Sequence, residues 1–395
     1  MPIQANVTTE VRYGIESALG TQSIAAGQLL RRTQSSLSLT KDAYQSNEVR
    51  PDQQISDARH GVRRVTGGIS GELSTKTYDD FIQALLRGTW AAGVTITNAT
   101  VAMSSATLAS SNTGTFTASA GSFIASGLRV GDVFRVTGMT GNTGRNFRVL
   151  ALTATVITVS TVGGPVTISA QTPWSIIVQG RKLVTGTTQR SFTIEHRYPD
   201  ITRSEIFTGC RVADGQFGLP PTGMATVNFG MQGVNVLSQA GAGFASPAAA
   251  GTQGILAAIG GSLSVAGAPS ALITGLDISV TNNVSSQPVV GSNFVPEIFY
   301  GRMVVSGTLS AFFQDAVVLD YFLNETEVAL QAQLDDANGL DFMRFMMPRI
   351  KLMGAQKTIG GDGGVILQSP FQALYSAGVS GVDDATLNVQ ISNLT

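Results

Sequence analysis

An internal duplication constrains this fold more than any other feature of the sequence. Residues 46–90 contain, in order, a polar loop, a long strand pattern and a short amphipathic helix pattern, and much of this pattern recurs from residue 292 onward. The matched pairs are Ser46 with Ser292, Asn47 with Asn293, Val49 with Val295, Pro51 with Pro296, Gly61 with Gly301, Gly71 with Gly307, Leu73 with Leu309, Ser74 with Ser310 and Asp79 with Asp315. Because self-similarity of this kind marks a repeated module, the sequence predicts one structural unit used twice, with a longer loop in the first copy.

The long strand pattern of the first copy spans residues 65–76. Ile69, Gly71 and Leu73 fall on one face, whereas the alternate positions are polar. This alternation predicts a strand with one face in a core and the other in water. The polar face contains Ser70, Glu72, Ser74 and Lys76, and the same face of the second copy contains Ser306, Thr308 and Ser310.

A short amphipathic helix is predicted directly after the strand in each copy. In the first copy Thr77 can cap the helix, and Asp79 and Asp80 lie in the first turn, where acidic groups favour the helix dipole. Gly88 is the predicted end. The apolar stripe consists of Phe81, Ile82, Leu85 and Leu86, and its counterpart, between Asp315 and Asn324, consists of Val317, Val318, Tyr321 and Phe322.

The polar loop at residues 41–60 contains a large share of the charge of a charge-poor chain. Long loops without structure of their own are usually functional or mobile. One interpretation is an ordinary solvated loop, and the other is a contact arm toward a neighbouring subunit or ring. The candidate contact residues are Glu48, Arg50, Pro51, Asp52, Asp57 and Arg59, together with Phe294, Pro296 and Glu297 from the shorter loop of the second copy.

Residues 94–182 have no counterpart in the second copy. They are rich in Thr, Ser, Val, Ala and Gly, and short strand patterns alternate with turns, which predicts a small inserted β domain. Residues 254–275 are apolar enough to suggest a membrane span, but Gly260, Gly261 and Pro269 favour a linker followed by a strand. The predicted division is a split first unit at 1–93 and 183–236, the insert at 94–182, an uncharged linker at 237–269 and a second unit at 270–395.

Charged residues make up only 13% of the sequence and the net charge is −1. A surface this poor in charge is weakly protected against association. The composition therefore fits either a β-rich soluble protein with many turns or a subunit that buries much of its surface in an assembly. The chain has no basic block, which argues against a protein that binds nucleic acid by neutralising phosphates.

We find no pattern that indicates a catalytic, metal or cofactor site. His60 and His196 lie far apart, outside any metal-ligand spacing, and the acidic pairs are explained by helix capping or turns. The glycine loop at 360–364 lacks the Lys-Ser/Thr of a phosphate-binding loop. Cys210 has no evident base partner in the sequence, so an enzyme is disfavoured and no cofactor is expected.

Residues 34–90 and 181–233, together with parts of the second copy, resemble the major tail tube proteins of long, non-contractile-tailed bacteriophages. No single motif is specific, but the ordered set covers about two thirds of the chain. The matching segments are SLSL at 36–39, SNEVR at 46–50, residues 63–73, DDF at 79–81, GTW at 88–90, SFTIE at 191–195, GCRV at 209–212, PEIFYGR at 296–302, FLNET at 322–326 and PFQA at 370–373.

This resemblance implies a mainly β fold: two tandem β-sandwich or barrel units, each flanked by a helix. It implies a virion protein, assembled in the host cytoplasm, whose trimers form pseudo-sixfold rings that stack into a hollow tube for double-stranded DNA. The implied partners are further copies of the chain, a tape-measure protein, and tail-tip and tail-terminator proteins, with no membrane involved. The polar strand faces are then candidates for the lumen, and the insert is expected on the tube exterior.

Two further classes of protein fit parts of the sequence. A baseplate or adhesion component of a phage tail would share the β units without needing to polymerise. A glycan- or metal-binding β protein would use the insert as its binding module.

Overall fold

The structure is a computed structural model that describes residues 3–23, 27–108, 113–139, 141–160, 175–257, 262–266, 268–270, 273–314, 317–336, 341–359 and 363–392. It is built mainly from antiparallel strands with two short α-helices, so the predicted mainly β fold is confirmed.

The strands of the first half of the chain are β1 (Glu10–Ile15), β2 (Gln28–Leu29), β3 (Gln34–Ser35), β4 (Ser38–Gln45), β5 (Ala58–Glu72), β6 (Ala91–Ala92), β7 (Thr95–Thr97), β8 (Ala102–Leu108), β9 (Thr113–Ala120), β10 (Val133–Thr137), β11 (Phe147–Leu152), β12 (Val156–Ser160), β13 (Ser175–Val178) and β14 (Arg181–Val184). Helix α1 (Asp79–Leu86) follows β5.

The strands of the second half are β15 (Phe192–Tyr198), β16 (Arg203–Leu219), β17 (Thr226–Gly233), β18 (Asn235–Ala240), β19 (Ser262–Val265), β20 (Ala268–Ser270), β21 (Ile273–Thr281), β22 (Ser285–Ser286), β23 (Ile298–Phe299), β24 (Val304–Phe312), β25 (Val328–Asp335), β26 (Phe342–Leu352), β27 (Gln356–Thr358), β28 (Ile366–Ala373) and β29 (Asn388–Ile391). Helix α2 (Val317–Leu323) follows β24.

The two copies found in the sequence have the same strand pairing. In the first copy β5 pairs with β17, β17 with β16, and β16 with both β15 and β18. In the second copy β24 pairs with β28, β28 with β26, and β26 with both β25 and β29. We call β1–β5, α1 and β15–β18 the first unit, and β19–β21, β24–β29 and α2 the second unit. The domain boundaries themselves stay a prediction.

One sheet, which we call the inner sheet, runs through both units. Its strand order is β3 and β4, then β5, β17, β16, β21, β24, β28 and β26, and the units meet where β16 pairs with β21. One face of this sheet is apolar and packs into a core shared by both units. Phe217 illustrates the sharing, because its ring lies 6.2 Å from that of Phe229 and 4.9 Å from that of Phe345.

A second layer covers the core on the side away from the polar face of the inner sheet. In the second unit its order is β20, β19, β25, the first half of β26, β29, β14 and β6. Leu183, Leu387, Val389 and Ile391 from this layer are fully buried in the shared core. The strands that enter and leave the insert, β6 and β14, therefore extend the outer layer of the second unit.

The insert forms its own sheet and its own core. Its seven strands have the order β7, β13, β10, β11, β12, β9 and β8. Phe116, Phe134 and Phe147 lie at its centre with ring centroids 5.2–5.7 Å apart. These side chains form a cluster separate from the shared core, as expected for a small inserted β domain.

Three local predictions for the first copy differ from the structure. The loop predicted at 41–60 is shorter, because β4 extends to Gln45 and β5 begins at Ala58, which together form a hairpin. Thr77 does not cap α1: its hydroxyl is bonded to Ser74 Oγ at 2.6 Å, and Tyr78 occupies the N-cap position. The helix ends before Gly88 because Arg87 adopts the left-handed conformation, with φ of 54°.

The segment 237–269 is not a free linker where the structure describes it. It begins inside β18, which pairs with β16, and it includes β19, which pairs with β25. Leu256 is buried and its amide donates to the Leu73 carbonyl. The absence of charge that suggested a linker instead suits a segment that packs against the body of the protein.

The two helices differ in burial. In α1 six residues are buried, including both Asp79 and Phe81, whereas α2 has no buried residue and Leu323 is 64% exposed. Asp315, the predicted start of α2, lies outside the described residues, and the helix ends one residue before the predicted Asn324.

Candidate channel face and assembly edges

A continuous row of polar residues crosses the exposed face of the inner sheet, with one residue on each strand. Each member is the direct cross-strand partner of the next, and Ser70 Oγ lies 3.0 Å from Asn228 Oδ1. The row consists of Gln34, Ser70, Asn228, Gln216, Ser279, Ser306, Gln372 and Lys351. The arrangement follows from the period of two along each strand, because from β5 to β26 the residues before and after each member point to the core side of the sheet.

A second row lies beside the first and carries the two carboxylates of this face. It consists of Glu72, Thr226, Gly218, Asp277, Thr308 and Pro370. The central members of the two rows line a groove of about 770 Å³ whose described lining residues include the carboxylates of Glu72 and Asp277 but no Lys or Arg. Lys351, at the end of the first row, lies outside this groove and pairs with Glu325 at 2.5 Å. The groove is therefore polar and weakly acidic.

The structure places most of the predicted lumen residues on this face. Ser70, Glu72, Ser306 and Thr308 line the groove, and Ser310 lies two positions further along β24, half-buried. The predicted strand continued to Lys76, but β5 ends at Glu72.

Ser74 and Lys76 do not belong to the face. Ser74 is 1% exposed and bonded to Thr77, so it cannot contact anything in a channel. Lys76 has a φ of 66° in the turn before α1, and its amide donates to Asp79 Oδ1. Because the chain turns inward after Glu72, the alternation that placed these two residues on the polar face no longer applies.

The arm, which we define as residues 46–57, projects from the end of the β4–β5 hairpin. The hydrogen bonds that the described structure gives these residues lie within the hairpin, such as Ser46 N to Asp57 O. Val49 is 95% exposed and Ile55 is 66% exposed, so the arm presents two aliphatic side chains to its surroundings.

The charged arm residues pair locally with each other. Arg50 contacts Asp52 at 3.0 Å and Arg59 contacts Asp57 at 3.2 Å, and all four side chains are largely exposed, as are Glu48 and Pro51. The Arg50 guanidinium lowers the pKa of the Asp52 carboxyl. These pairs shape the arm but leave its outer surface accessible.

The matching loop of the second unit is not an open arm. Asn293 accepts a hydrogen bond from the Arg63 amide, the Phe294 ring lies 5.1 Å from the Arg63 guanidinium, and Glu297 pairs with Arg211 at 2.6 Å. Phe294 and Glu297 thus contact the first unit of their own chain, while Pro296 is exposed. Sequence matching found the loop but could not show that it folds back.

The two ends of the inner sheet are the features that sequence analysis missed. Within the described residues, β3 and β4 pair only with β5, and β27 pairs only with β28, so one edge of the sheet is unpaired at each end. A cleft of about 550 Å³ runs beside β3. A strand that pairs on one side and a strand that pairs on both sides give the same alternating sequence pattern, so pattern analysis could not identify these edges.

His196 lies in the cleft beside β3 and is 7% exposed. Its Nε2 lies 2.8 Å from Ser35 Oγ, so it supports the edge strand directly. Burial and the nearby charge of Arg32 lower the pKa of His196 to about 4. At neutral pH the ring is uncharged and acts as a structural hydrogen-bonding group.

The described residues offer neither a metal-binding cluster nor a membrane-spanning helix. No group of three or more His, Cys, Asp or Glu side chains in that part of the chain could hold a metal ion. No helix there is long and apolar enough to cross a bilayer.

Residues 7–373 match the family model described as phage tail tube protein. No curated protein matches the sequence.

Proposed function

Because this chain belongs to the phage tail tube protein family, and so is a structural component of a phage tail, we propose that three copies close into a ring and that rings stack into a DNA-conducting tube. Each chain contributes two units, which gives the ring pseudo-sixfold symmetry. The observation that carries this proposal is the inner sheet, which passes through both units without interruption and ends on each side in an edge that has no strand partner among the described residues.

The strand pairing between the two units of one chain predicts how the sheets of two neighbouring chains pair. Inside the chain, β16 of the first unit pairs with β21 of the second. By strand order, β26 corresponds to β16 and β3 corresponds to β21. The β26–β27 edge of one copy therefore matches the β3 edge of the next, and pairing would remove two exposed strand edges that otherwise invite uncontrolled association.

The duplication also predicts the register of this pairing. Gln216 lies opposite Ser279 inside the chain. Ser70 and Ser306, which precede the matched Gly71 and Gly307, are equivalent positions. Two strands further across the sheet, Ser70 leads to Gln216 and Ser306 leads to Lys351, so Gln216 corresponds to Lys351. Ser279 corresponds in the same way to Gln34. Lys351 of one copy is therefore expected opposite Gln34 of the next, which would continue the polar row around the ring.

A ring built this way would be an open channel. Each chain contributes eight strands in cross-section, so three chains give 24, and barrels of 16 or more strands are wide enough to leave a channel. With strands about 4.8 Å apart, the circumference is roughly 115 Å and the backbone diameter roughly 37 Å before strand tilt is included.

The chemistry of the polar face suits passage of DNA. Phosphate contacts from Lys and Arg dominate the affinity of proteins for DNA. The groove offers hydroxyl and amide groups together with the carboxylates of Glu72 and Asp277, so it would repel phosphates weakly and hold none of them. Ser70, Ser306, Thr308 and Ser310 are the proposed neutral part of the wall.

The arm is the proposed contact between stacked rings. Its exposed Val49 and Ile55 would be buried against the next ring, and the flanking charges of Glu48, Arg50 and Asp57 would orient it. Pro51, Asp52, Arg59 and the exposed Pro296 complete the proposed contact set. The obligate interfaces of such assemblies commonly bury about 2,000 Å² or more.

Further partners follow from the proposed role. A tube of defined length requires a tape-measure protein in the lumen during assembly, a tail tip on which the first ring forms and a terminator protein on the last ring. We propose that assembly takes place in the host cytoplasm and that the finished protein resides in the virion.

Electron microscopy of the purified full-length chain tests this proposal. We expect rings or tubes of uniform bore with threefold-averaged density showing six similar units. Dispersed globular particles that never stack, under conditions in which the chain is folded, would refute it, as would rings whose centre is filled by protein.

A further inference from the structure

The insert is covalently part of the first unit, yet it docks on the second. Its exit strand β14 pairs with β29, from Arg181 opposite Ile391 to Val184 opposite Asn388. The same strand is tied to α1 of the first unit, because Arg181 forms an ion pair with Asp79 and the Gly186 amide donates to the Leu86 carbonyl. Strand β14 therefore bridges the two units in the outer layer.

A buried hydrogen-bond seam joins the body of the insert to the second unit. Gln390 is fully buried, its Oε1 accepts from the Val133 amide at 2.9 Å, and its Nε2 donates to the carbonyls of Val133 and Gln179 at 2.9 and 2.8 Å. The Val130 amide donates to the Gly381 carbonyl at 2.7 Å. Buried amide groups that lose such partners are costly, so the seam favours one docked position.

A buried ionic cluster lies beside the seam. Lys182 contacts Asp132 of the insert at 2.9 Å and Asp383 of the second unit at 3.0 Å. Arg344 of the second unit is 0% exposed, donates to Asn388 Oδ1 at 2.6 Å and lies 3.9 Å from Asp132. Asp132 is itself 1% exposed, so removal of its carboxylate would leave Arg344 buried with a weaker counter-charge.

The units are thus joined in two layers. The inner joint is the β16–β21 pairing, supported by the shared core and by the contacts of Phe294 and Glu297 with the first unit. The outer joint consists of β14, the seam and the ionic cluster. Contacts at two depths resist rotation about the β16–β21 pair more strongly than contacts at one depth. In the first unit, β18 corresponds to β29, and within the described residues it pairs only with β16, so no such brace exists there.

We infer that the insert is a brace that fixes the angle between the two units of one chain and thereby sets the curvature of the inner sheet. Its role is mechanical and lies within the chain, and it does not depend on any ligand of the insert. This inference goes beyond the proposed ring, because it concerns the conformation of the single chain before assembly.

Hydrogen exchange of the full-length chain tests the brace without requiring assembly. We expect Asp132→Ser to accelerate exchange of the β29 amides (Asn388–Ile391) by about tenfold or more, while the β16–β21 amides keep their wild-type rates. Asp200→Ser is the matched control, because Asp200 is an exposed carboxylate that bonds only Ala5 and Thr8 among the described contacts. Lys182→Gln is a second variant that removes the other side of the same ion pair.

Two results would overturn the inference. Wild-type exchange at β29 in both Asp132→Ser and Lys182→Gln would show that the cluster does not hold the joint. An equal loss of protection throughout the chain, the β16–β21 amides included, would show that the cluster supports the whole fold rather than one joint. Either result leaves the ring proposal intact, since rings are scored separately by microscopy.

Discussion

Gln216 of the first unit lies directly opposite Ser279 of the second, and at this pair two copies of one module share a single sheet. The pair lies in the middle of a polar row that begins at Gln34 and ends at Lys351. One pairing between units is therefore formed inside the chain, whereas the two outer edges of the same sheet have no strand partner among the described residues.

The acidity of the channel face predicts how DNA would move through it. We expect the double variant Glu72→Lys, Asp277→Lys to slow DNA ejection from virions, because each lysine adds a phosphate contact where the wall now offers a carboxylate. The delay should shrink as salt is raised. Asp320→Lys is the control, since Asp320 lies on the exposed surface of α2. Ejection at the wild-type rate and with the wild-type salt dependence would contradict the placement of this face in the lumen.

The arm predicts a variant that forms rings but does not stack. Arg50→Glu reverses a charge on an exposed side chain whose described ion pair is with the neighbouring Asp52, so the fold should be unaffected. We expect isolated rings instead of tubes in micrographs. Arg203→Glu, at an exposed position outside the arm, should form normal tubes. Normal tubes from the Arg50 variant would exclude a role of this residue in stacking.

His196 predicts a pH dependence of stability. Its folded-state pKa of about 4 lies below the ordinary value, so the contribution of the neutral ring is complete above about pH 6.5 and is lost as the pH falls toward 4. The full effect is up to about 3 kcal/mol. His196→Gln keeps a hydrogen-bonding group near Ser35 but does not titrate.

The measurement is the difference in unfolding free energy between wild type and His196→Gln at pH 7.5 and pH 4.5. The comparison with the variant is necessary because Asp79 titrates in the same pH range. Burial raises the pKa of Asp79 to about 6, so ionisation of Asp79 lowers the unfolding free energy of both proteins as the pH rises. We expect the difference to become less favourable to wild type at the lower pH. An identical difference at both values would contradict a buried neutral His196.

The shared core predicts that the two units unfold together. Phe217 contacts Phe229 of its own unit and Phe345 of the other, and its side chain is almost fully buried. Phe217→Ala should lower the free energy of unfolding by about 3–5 kcal/mol in a single transition that includes both units. Phe116→Ala, in the separate core of the insert, is the comparison and should leave the transition of the two units largely in place. A Phe217 variant in which only one unit unfolds would contradict a common core.

The sequence was most informative where residues repeat. Matching Gly71 with Gly307 and Leu73 with Leu309 identified two equivalent strands, and the structure pairs both strands in the same way. The alternation around Ser70 and Ser306 placed these residues on a solvent face correctly. The same alternation failed at Ser74, because a strand pattern contains no signal for the turn that buries this hydroxyl.

Features that depend on distant residues were not predictable from pattern. The loop containing Phe294 and Glu297 was predicted to contact a neighbouring subunit or ring, and its contacts with Arg63 and Arg211 of the same chain, far away in sequence, were not foreseen. The docking of the insert through Gln390 depends on a side chain near the carboxyl terminus that no local motif marks. Composition and periodicity report which face of a strand is buried, not which neighbour covers it.

A register-specific cross-link between chains tests the central claim most directly. Gln34 and Lys351 are separated by seven strand spacings within one chain, about 34 Å, so a disulfide between them can form only between copies. Cys210 is buried, and burial raises the pKa of its thiol, so the native cysteine does not compete. Chains carrying Gln34→Cys and Lys351→Cys should give covalent dimers and closed trimers upon oxidation of assembled rings, whereas Gln45→Cys with Lys351→Cys should not. Assembled rings that cross-link equally through Gln45, or do not cross-link through Gln34 at all, would contradict the account.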